Sequence, residues 1–305
     1  MKLCAPAPNV AQLKKRRKKI ALGTVQFGMH YGINNPKGKI SAQEVRRIVE
    51  TARAGGIDTV DTASGYGDSE RVLGNCGVKD FQVITKIDPK AQTPDAIAHS
   101  LRKSLALLEM DRVHGVLVHD TAGFFGCPAN WTQLCRLRDT GVVLKIGVSV
   151  YRPSELEALL ERGFAIEIVQ VPFSILDTRF KALFPRLRDA GIEIHVRSVF
   201  LQGIFFMCPR TLPPYFAPVV SRIEHLKEIS RRLCVPLSTV LLTMGVLEPA
   251  IDRVVIGVDS EAHLQQNLEA FDHCSACAPA LDELSELGLL DESILLPVNW
   301  PKAVL

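Results

Sequence analysis

The chain alternates amphipathic segments with short apolar runs that are rich in β-branched residues. In the segments LCRLRDTGVVLKIGVSV and LFPRLRDAGIEIHVRSV, an amphipathic half is followed by a glycine and then by an apolar half. A short apolar run of this kind is typical of a strand that is buried on both faces of a sheet. The pattern predicts strands over Ile20–Val25, Thr59–Ala63, Gln82–Ile87, Val113–His119, Leu144–Val150, Ile166–Val171, Glu193–Val199 and Arg253–Val258.

Helical patterns occupy the intervals between these runs. Strict alternation of strand and helix indicates parallel strands that are joined by crossover helices. Eight such units that together span about 250 residues are typical of a (β/α)8 barrel. The sequence therefore predicts the α/β class and a TIM barrel. The predicted helices include Ser41–Ala54, Thr93–Leu108, Pro153–Arg162, Asp177–Ala190 and Ser260–Phe271.

An open doubly wound sheet is the alternative architecture. It usually carries a G-x-G-x-x-G pattern after its first strand, whereas here the first strand runs into GTVQFGMHYG. We therefore expect a single barrel domain over residues 20–271, preceded by a basic, flexible tail over residues 1–19. Residues 272–305 are expected to form a C-terminal extension that packs near the barrel mouth, with one helix over Ala280–Leu287.

Polar side chains stand where several of the predicted strands end. In a barrel of this kind the chemistry lies at the carboxyl ends of the strands. The second, third and fourth strands bring Asp61, Lys86 and His119 to that end, and Tyr66 follows in a loop with glycines on both sides. The lysine is the least ordinary, because lysine is almost never buried without a partner. Later strands end with Ser149, Gln170, Arg197 and Ser198.

Together a carboxylate, a phenol, an ammonium and an imidazole predict a proton relay. A phenol is a poor acid near neutral pH, with a pKa of about 10, and a nearby ammonium lowers that pKa by favouring the phenolate. A carboxylate can hold the ammonium in place, and an imidazole beside the phenol can orient a substrate carbonyl. Such a relay serves the reduction of a carbonyl to an alcohol, or the reverse, and it needs a cofactor for the hydride.

Over nearly its whole length the chain resembles the aldo-keto reductase family. The resemblance implies that Tyr66 is the general acid and that Lys86 tunes it. It also implies that Asp61 pairs with Lys86 and that His119 orients the carbonyl. A nicotinamide cofactor would lie across the barrel mouth. The motifs that carry the resemblance are GTVQFG, DTASGYGDSE followed by VLG, ITK, LVHD, IGVS, VQVPFS and VIGVDSEAHLQQNL.

The same resemblance implies a set of cofactor-binding residues. Ser149 and Gln170 match the family positions that hold the carboxamide, whereas Val150 stands where an asparagine is usual. Arg197 stands where an aromatic residue commonly stacks on the nicotinamide. A guanidinium at that position repels the oxidised ring, which favours binding of the reduced cofactor. The other implied positions are Gly23, Thr24, Asp61, Ser198, Phe200, Leu201, Gln202, Gly203, Gly257, Val258, Asp259, His263, Gln266 and Asn267.

The adenosine end leaves the choice between NADPH and NADH open. Members of the family that use NADP often place Lys or Arg near its 2′-phosphate. This chain has Val258, Asp259 and His263 in that region. A carboxylate near a phosphate is repulsive unless it turns away, so NADH is an alternative to the NADPH that most relatives prefer.

Charge argues against a nucleic-acid partner for the body of the protein. The net charge is +3, with 36 basic and 33 acidic residues, and the run KKRRKK at positions 14–19 supplies six of the basic ones. The remainder is slightly acidic and carries no nucleic-acid footprint. We expect the run to be a solvated tail, with an import signal or a phosphate-binding arm as alternatives.

The distribution of cysteines and of apolar residues indicates the cellular compartment of the protein. The eight cysteines are scattered, which suits a reducing cytoplasm better than a disulfide framework. Cys274 and Cys277 form a CxxC, but no second ligand pair stands at metal spacing, so no metal is expected.

No apolar run approaches the ~18 to 20 residues of a membrane span, and a secretory signal is not expected. We expect a cytoplasmic monomer or small homo-oligomer without membrane contact.

The substrate class stays open between a sugar-type carbonyl and an aromatic aldehyde. The loops expected to build the pocket are rich in Phe, Tyr, Trp and Pro, and walls of this kind suit either class. A second function class is a reductase-like barrel that acts as a regulatory or scaffold subunit with weak turnover. The presence of both Tyr66 and Lys86 argues against it, because a scaffold requires neither. The loops are MHYGINNPKG, TAGFFGCPANW, IFFMCPRTLPPYF and LLPVNW.

Overall fold

In the computed structural model, eight parallel strands close into a barrel in which each strand pairs with its neighbours along the chain. The structure describes residues 9–119, 121–289 and 291–301, so Asp120 and residues 1–8 lie outside it. All the predicted strands are present, with ends that differ by two residues or fewer, and the predicted barrel is confirmed. The strands are β1 Ile20–Gly23, β2 Thr59–Asp61, β3 Gln82–Ile87, β4 Val113–Val118, β5 Val143–Ser149, β6 Ile168–Pro172, β7 Glu193–Arg197 and β8 Arg253–Gly257.

Helices follow the strands around the outside of the barrel. The predicted helix over Asp177–Ala190 is shorter than expected, because Pro185 is accommodated only in the first turn of a helix, and α9 begins there. The described helices are α1 Val10–Arg17, α2 Val25–Gly28, α3 Ala42–Gly55, α4 Ser69–Cys76, α5 Pro94–Leu108, α6 Thr121–Phe124, α7 Pro128–Asp139, α8 Pro153–Glu161, α9 Phe184–Asp189, α10 Val220–Arg232, α11 Leu237–Leu247, α12 Glu261–Asp272, α13 Leu281–Ser285 and α14 Glu292–Leu295.

The barrel interior contains its own small apolar layer. Ile84, Leu117 and Ile168, from β3, β4 and β6, form a buried cluster that is separate from the main core. Gly115 on β4 makes room for this layer, because a Cβ atom there would lie 2.7 Å from the Cδ1 atoms of both Ile84 and Ile168. The main core lies between the strands and the surrounding helices. The interior layer therefore separates the two polar ends of the barrel.

The basic segment near the N-terminus contains helix α1 over its described part, and the flexible tail over residues 1–19 stays a prediction. Asn9 caps α1 by accepting the backbone N–H of Gln12 at 3.0 Å. Arg17 donates through Nε to Asp272 Oδ1 at 3.1 Å, and Lys18 lies 3.1 Å from Asp58. The sequence predicted a solvated run from its charge alone. Asp58 and Asp272 are distant from the run in sequence, and only the closed barrel brings them near Lys18 and Arg17.

Within the described ranges, no single helix is long and apolar enough to cross a membrane. The segments Pro214–Arg232 and Leu237–Leu247 meet the requirement only as a pair, and the pair is bent by 94°.

A charged cluster occupies the end of the barrel where the strands begin. Glu193, the first residue of β7, lies 2.7 Å from His195 Nε2 and 2.6 Å from Lys145 Nζ. His114 Nε2 lies 3.5 Å from the same carboxylate. Burial disfavours the charged carboxylate, but hydrogen bonds from His114, His195 and Lys145 prevail and hold the pKa of Glu193 well below its usual range. This carboxylate therefore links strands β4, β5 and β7.

We expect Glu193→Gln to lower the free energy of unfolding by about 2 kcal/mol at neutral pH, because it removes the charged acceptor that His114, Lys145 and His195 share. The folded pKa is depressed, so the contribution is complete above the unfolded pKa of about 4.3 and is lost as the pH falls. The difference from the parent chain should shrink below about pH 4. Urea unfolding of both proteins at neutral pH and below about pH 4 measures this difference in the free energy of unfolding.

The matched control is Glu224→Gln, which changes an exposed glutamate on α10 and should stay within about 0.5 kcal/mol of the parent. Equal unfolding midpoints for the parent and Glu193→Gln at neutral pH would contradict a stabilising role for the cluster.

Candidate active site

A buried ion pair lies at the opposite end of the barrel. The Nζ atom of Lys86 is 2.7 Å from Asp61 Oδ1 and also donates to the carbonyl oxygen of Thr62 at 2.9 Å. Lys86 is 1% exposed and Asp61 is 3% exposed. Burial lowers the pKa of Lys86, an effect that Asp61 opposes. The structure therefore brings together the two residues that the sequence expected to pair.

The second oxygen of Asp61 is also engaged. Gln170 on β6 donates from Nε2 to Asp61 Oδ2 at 2.6 Å. The hydroxyl of Ser149 on β5 lies 3.4 Å from Gln170 Oε1 and donates to it. The four side chains thus form one buried network across β2, β3, β5 and β6. Sequence reasoning had placed Ser149 and Gln170 near a cofactor, but it gave no signal that Gln170 bonds to Asp61.

The loop after β2 fixes Tyr66 beside this network. Both the backbone N–H and the hydroxyl of Ser64 donate to the carbonyl oxygen of Lys86, at 3.2 and 3.0 Å. On the other side the loop touches α2, where a Cβ atom at Gly28 would fall 1.7 Å from the carbonyl oxygen of Tyr66. Only glycine permits this approach, so Gly28 allows the loop to sit against the barrel rim.

Tyr66 lies next to both Lys86 and His119. Lys86 Nζ is 5.2 Å from the centroid of the Tyr66 ring. The ring of His119, the residue after β4, meets the Tyr66 ring edge to face, with centroids 5.9 Å apart and an interplanar angle of 87°. The four residues that the sequence singled out from three successive strand ends therefore form one constellation.

The pKa of Tyr66 moves in the direction opposite to the sequence-based expectation. Burial raises this pKa well above its usual value, and Asp61 raises it further. The expectation that the lysine ammonium lowers the pKa of the phenol is therefore wrong for the net effect. The physical reason is that Asp61 neutralises Lys86 at contact distance, while the phenol is largely desolvated. The cation that opposes the rise is Arg197.

A cavity of about 490 Å³ opens above these residues at the barrel mouth. Tyr66 and His119 line it, whereas Lys86 lies buried behind its wall. Every residue that the sequence assigned to cofactor binding borders this cavity, namely Gly23, Thr24, Asp61, Ser149, Gln170, Arg197, Ser198, Phe200, Leu201, Gln202, Gly203, Gly257, Val258, Asp259, His263, Gln266 and Asn267.

Sequence reasoning missed Tyr151, which lines the cavity beside Arg197. The guanidinium carbon of Arg197 lies 4.3 Å from the centroid of the Tyr151 ring. Arg197 also donates to the carbonyl oxygen of Val150 at 3.2 Å and to Ser198 Oγ at 3.4 Å. The position of Tyr151, two residues beyond Ser149 at the end of β5, is the signal that could have identified it.

The loop after β7 has an unusual backbone. Ser198, Leu201 and Gln202 have φ values of 67°, 42° and 53°, and Gly203 follows at 90°. Residues other than glycine seldom adopt such values, and clusters of them occur at ligand-binding sites. All four residues border the cavity, which agrees with a loop shaped to meet a ligand through its backbone.

The far end of the cavity contains unsatisfied acceptors. Gln26 Oε1 and Asp259 Oδ1 are buried and have no hydrogen-bond partner among the described residues. Burial raises the pKa of Asp259. Arg197 is the only Arg or Lys among the described residues that border the cavity. A ligand at this end would therefore meet these acceptors, with His263 Nδ1 beside them at 4.0 Å from Asp259 Oδ2. Within the same described ranges, no group of three or more His, Cys, Asp or Glu is arranged to hold a metal ion.

Comparisons with known proteins agree with this geometry. An aldo-keto reductase of Mycolicibacterium vanbaalenii is 29% identical over 133 residues, which cover 42% of this chain and 48% of the relative. The chloroplastic pyridoxal reductase of Arabidopsis thaliana is 31% identical over 159 residues, or 44% of this chain and 43% of that protein. The match thus spans about half the length of these curated relatives.

Solved structures share the fold. An aldo-keto reductase from Bacillus halodurans in its holo form has a TM-score of 0.71 at 19% identity, covering 90% of this chain and 94% of that one. A thermostable aldo-keto reductase in complex with the inhibitor epalrestat has a TM-score of 0.68 at 20% identity, covering 88% and 95%. The Aldo/keto reductase family model matches residues 19–283. On that match, and with its barrel and its site, this chain belongs to the aldo/keto reductase family.

Proposed function

We propose that the protein is an NAD(P)H-dependent oxidoreductase that reduces an aldehyde, ketone or sugar-type carbonyl to the alcohol, or catalyses the reverse. The observation that carries this proposal is the constellation of Tyr66 and His119 on the cavity wall, backed by the buried pair of Lys86 and Asp61. The membership of the family supports it.

The residues around the cavity fit a nicotinamide cofactor. The cofactor, when bound, supplies the hydride for the reduction. The hydroxyl of Ser149 and the amide of Gln170 would hold the nicotinamide end, and the backbone of the loop after β7 would meet the phosphates. Gln26 and Asp259 provide buried acceptors at the other end, where the ribose hydroxyls and the adenine amino group are donors.

Tyr66 would act as the general acid. The phenol is protonated at neutral pH, so Oη can donate a proton to the carbonyl oxygen. His119, edge to face with that ring, would orient the carbonyl. Lys86 and Asp61 would hold the wall behind Tyr66.

The acceptors at the adenosine end favour NADH over NADPH. Asp259, whose buried Oδ1 atom has no hydrogen-bond partner among the described residues, can accept from the 2′-hydroxyl of NADH. It repels the 2′-phosphate of NADPH, and no Lys or Arg among the described cavity residues at that end would offset the repulsion.

An aromatic aldehyde is the substrate that the cavity wall favours. Tyr31, Tyr151 and Phe206 line the cavity with ring surfaces, and apolar rings stack favourably on such walls. One of the relatives is named a pyridoxal reductase, and pyridoxal is an aromatic aldehyde. Sugar-type carbonyls remain the second class, because Asn34 and Asn35 supply polar groups.

Tyr66→Phe is expected to lower kcat by about 10² to 10⁴, since a general acid contributes that factor. The cofactor should still bind, because the ring remains in place. Stopped-flow oxidation of NADH and fluorescence titration of NADH measure the two effects.

Tyr215→Phe is the matched control for this change. Tyr215 lies outside the cavity and donates to the carbonyl oxygen of Ser293 at 2.6 Å, so its turnover should be unaltered. A Tyr66→Phe enzyme that turns over at the parent rate would instead favour the regulatory or scaffold interpretation.

The ratio of KM values for NADPH and NADH should exceed about ten, which corresponds to roughly 1.4 kcal/mol. Asp259→Asn should narrow the ratio, because it removes the charge that repels the 2′-phosphate. Steady-state kinetics with both cofactors give the values.

Asp139→Asn, an exposed aspartate at the end of α7, should leave the ratio unchanged. A lower KM for NADPH than for NADH in the parent enzyme would overturn the assignment of NADH.

A further inference from the structure

We propose that the substrate carries a carboxylate in addition to its carbonyl group, and that Arg197 binds this carboxylate. The inference rests on the proposed carbonyl reduction and names the class of compound that the same site accepts. The carboxylate takes no part in the bond changes of the reduction, so only binding and orientation depend on it.

Arg197 is a partly buried cation without a carboxylate partner among the described residues. Its recorded contacts are the ring of Tyr151, the carbonyl oxygen of Val150 and the hydroxyl of Ser198. Two of these are hydrogen bonds of 3.2 and 3.4 Å, at the long end of the usual range. A guanidinium has five N–H donors, so most of its capacity remains for another acceptor.

Two other buried cations have carboxylate partners. Lys86 contacts Asp61 at 2.7 Å. Arg179 contacts Asp177 at 2.8 Å and Glu292 at 2.6 Å. Taking a charge out of water is costly unless an opposite charge accompanies it. Arg197 has no such partner within the described chain, and it faces a cavity. An anionic ligand is the group that would compensate the charge of Arg197 and accept its remaining hydrogen bonds.

The position of Arg197 places that anion near the reacting group. Tyr31, Tyr66 and Tyr151 line the same cavity as Arg197. The phenol of Tyr31 is therefore a second hydrogen-bond donor on the wall of this cavity. A ligand oxygen within reach of both side chains would receive hydrogen bonds from Arg197 and Tyr31.

The charge at this end fits a monoanion. Asp61 compensates Lys86, and Arg197 is the only Arg or Lys among the described residues that border the cavity. The single positive charge of Arg197 matches the single negative charge of a carboxylate. The planar guanidinium also matches the two oxygens of a carboxylate.

The test compares three aldehydes of matched ring structure in the intact enzyme with NADH: 4-formylbenzoate, its methyl ester and 4-formylphenyl phosphate. We expect kcat/KM for the acid to exceed that for the ester by about tenfold to hundredfold, the range of a charge-assisted contact. Added salt should reduce this preference. In Arg197→Met the ratio of acid to ester should fall to about one.

Arg162→Met is the matched control, because Arg162 also stacks on an aromatic ring, that of Phe164 at 4.8 Å, and does not border the cavity. It should keep the ratio of the parent. Arg197→Gln is a second variant in case Arg197→Met does not fold, which thermal melting would reveal.

Binding of 4-(hydroxymethyl)benzoate, the unreactive product acid, separates this inference from the proposed function. Calorimetry should show binding to the parent enzyme that weakens at least about tenfold in Arg197→Met. If no aldehyde is reduced but this acid binds through Arg197, the result supports the proposed carboxylate site and contradicts the proposed carbonyl reduction.

Three results would overturn the carboxylate site. These are equal kcat/KM for acid and ester in the parent, an equal loss for both in Arg197→Met, and a preference for the phosphate over the acid. The second result would assign Arg197 to the cofactor alone.

Discussion

The contact between Lys86 and Asp61 is the interaction on which the active-site end of the barrel depends. An ammonium that is 1% exposed is tolerated inside a protein only with an anion and with acceptors for its remaining protons. Asp61 and the carbonyl oxygen of Thr62 meet that need, and Gln170 in turn satisfies Asp61. Three strands must therefore stand in one register, and the loop that carries Tyr66 is fixed as a result.

This contact also divides the charges of the site into two kinds. Lys86 and Asp61 compensate each other, so neither presents a full charge to the cavity. Tyr66 consequently responds mainly to burial, and its pKa rises. Arg197 has no such partner among the described residues, and it retains its charge for what enters the cavity. The Lys86–Asp61 pair and Arg197 thus lie at the same end of the barrel. The pair holds strands of the barrel together, whereas Arg197 acts on a ligand in the cavity.

Residues far away in the chain shape the wall of the cavity. Glu292 on α14 contacts Arg152 at 2.8 Å and Arg179 at 2.6 Å. Arg179 donates to the carbonyl oxygen of Tyr151 at 3.3 Å, and Tyr151 stacks on Arg197. The C-terminal segment therefore reaches the cavity through a series of charged contacts. The packing of residues 272–305 near the barrel mouth and the division into domains stay predictions.

The sequence by itself determined the barrel and the set of residues at its mouth, because the alternation of strand and helix and the polar residues at strand ends are local patterns. It also identified Asp61, Tyr66, Lys86 and His119 together. The pairing of Asp61 with Lys86 was also expected from the sequence, and only the tertiary structure decided the other partners. The bond from Gln170 to Asp61, the stacking of Tyr151 on Arg197 and the ion pair of Arg17 with Asp272 join segments far apart in sequence. The raised pKa of Tyr66 has the same origin, since burial and net charge depend on every neighbour at once, and no local pattern records them.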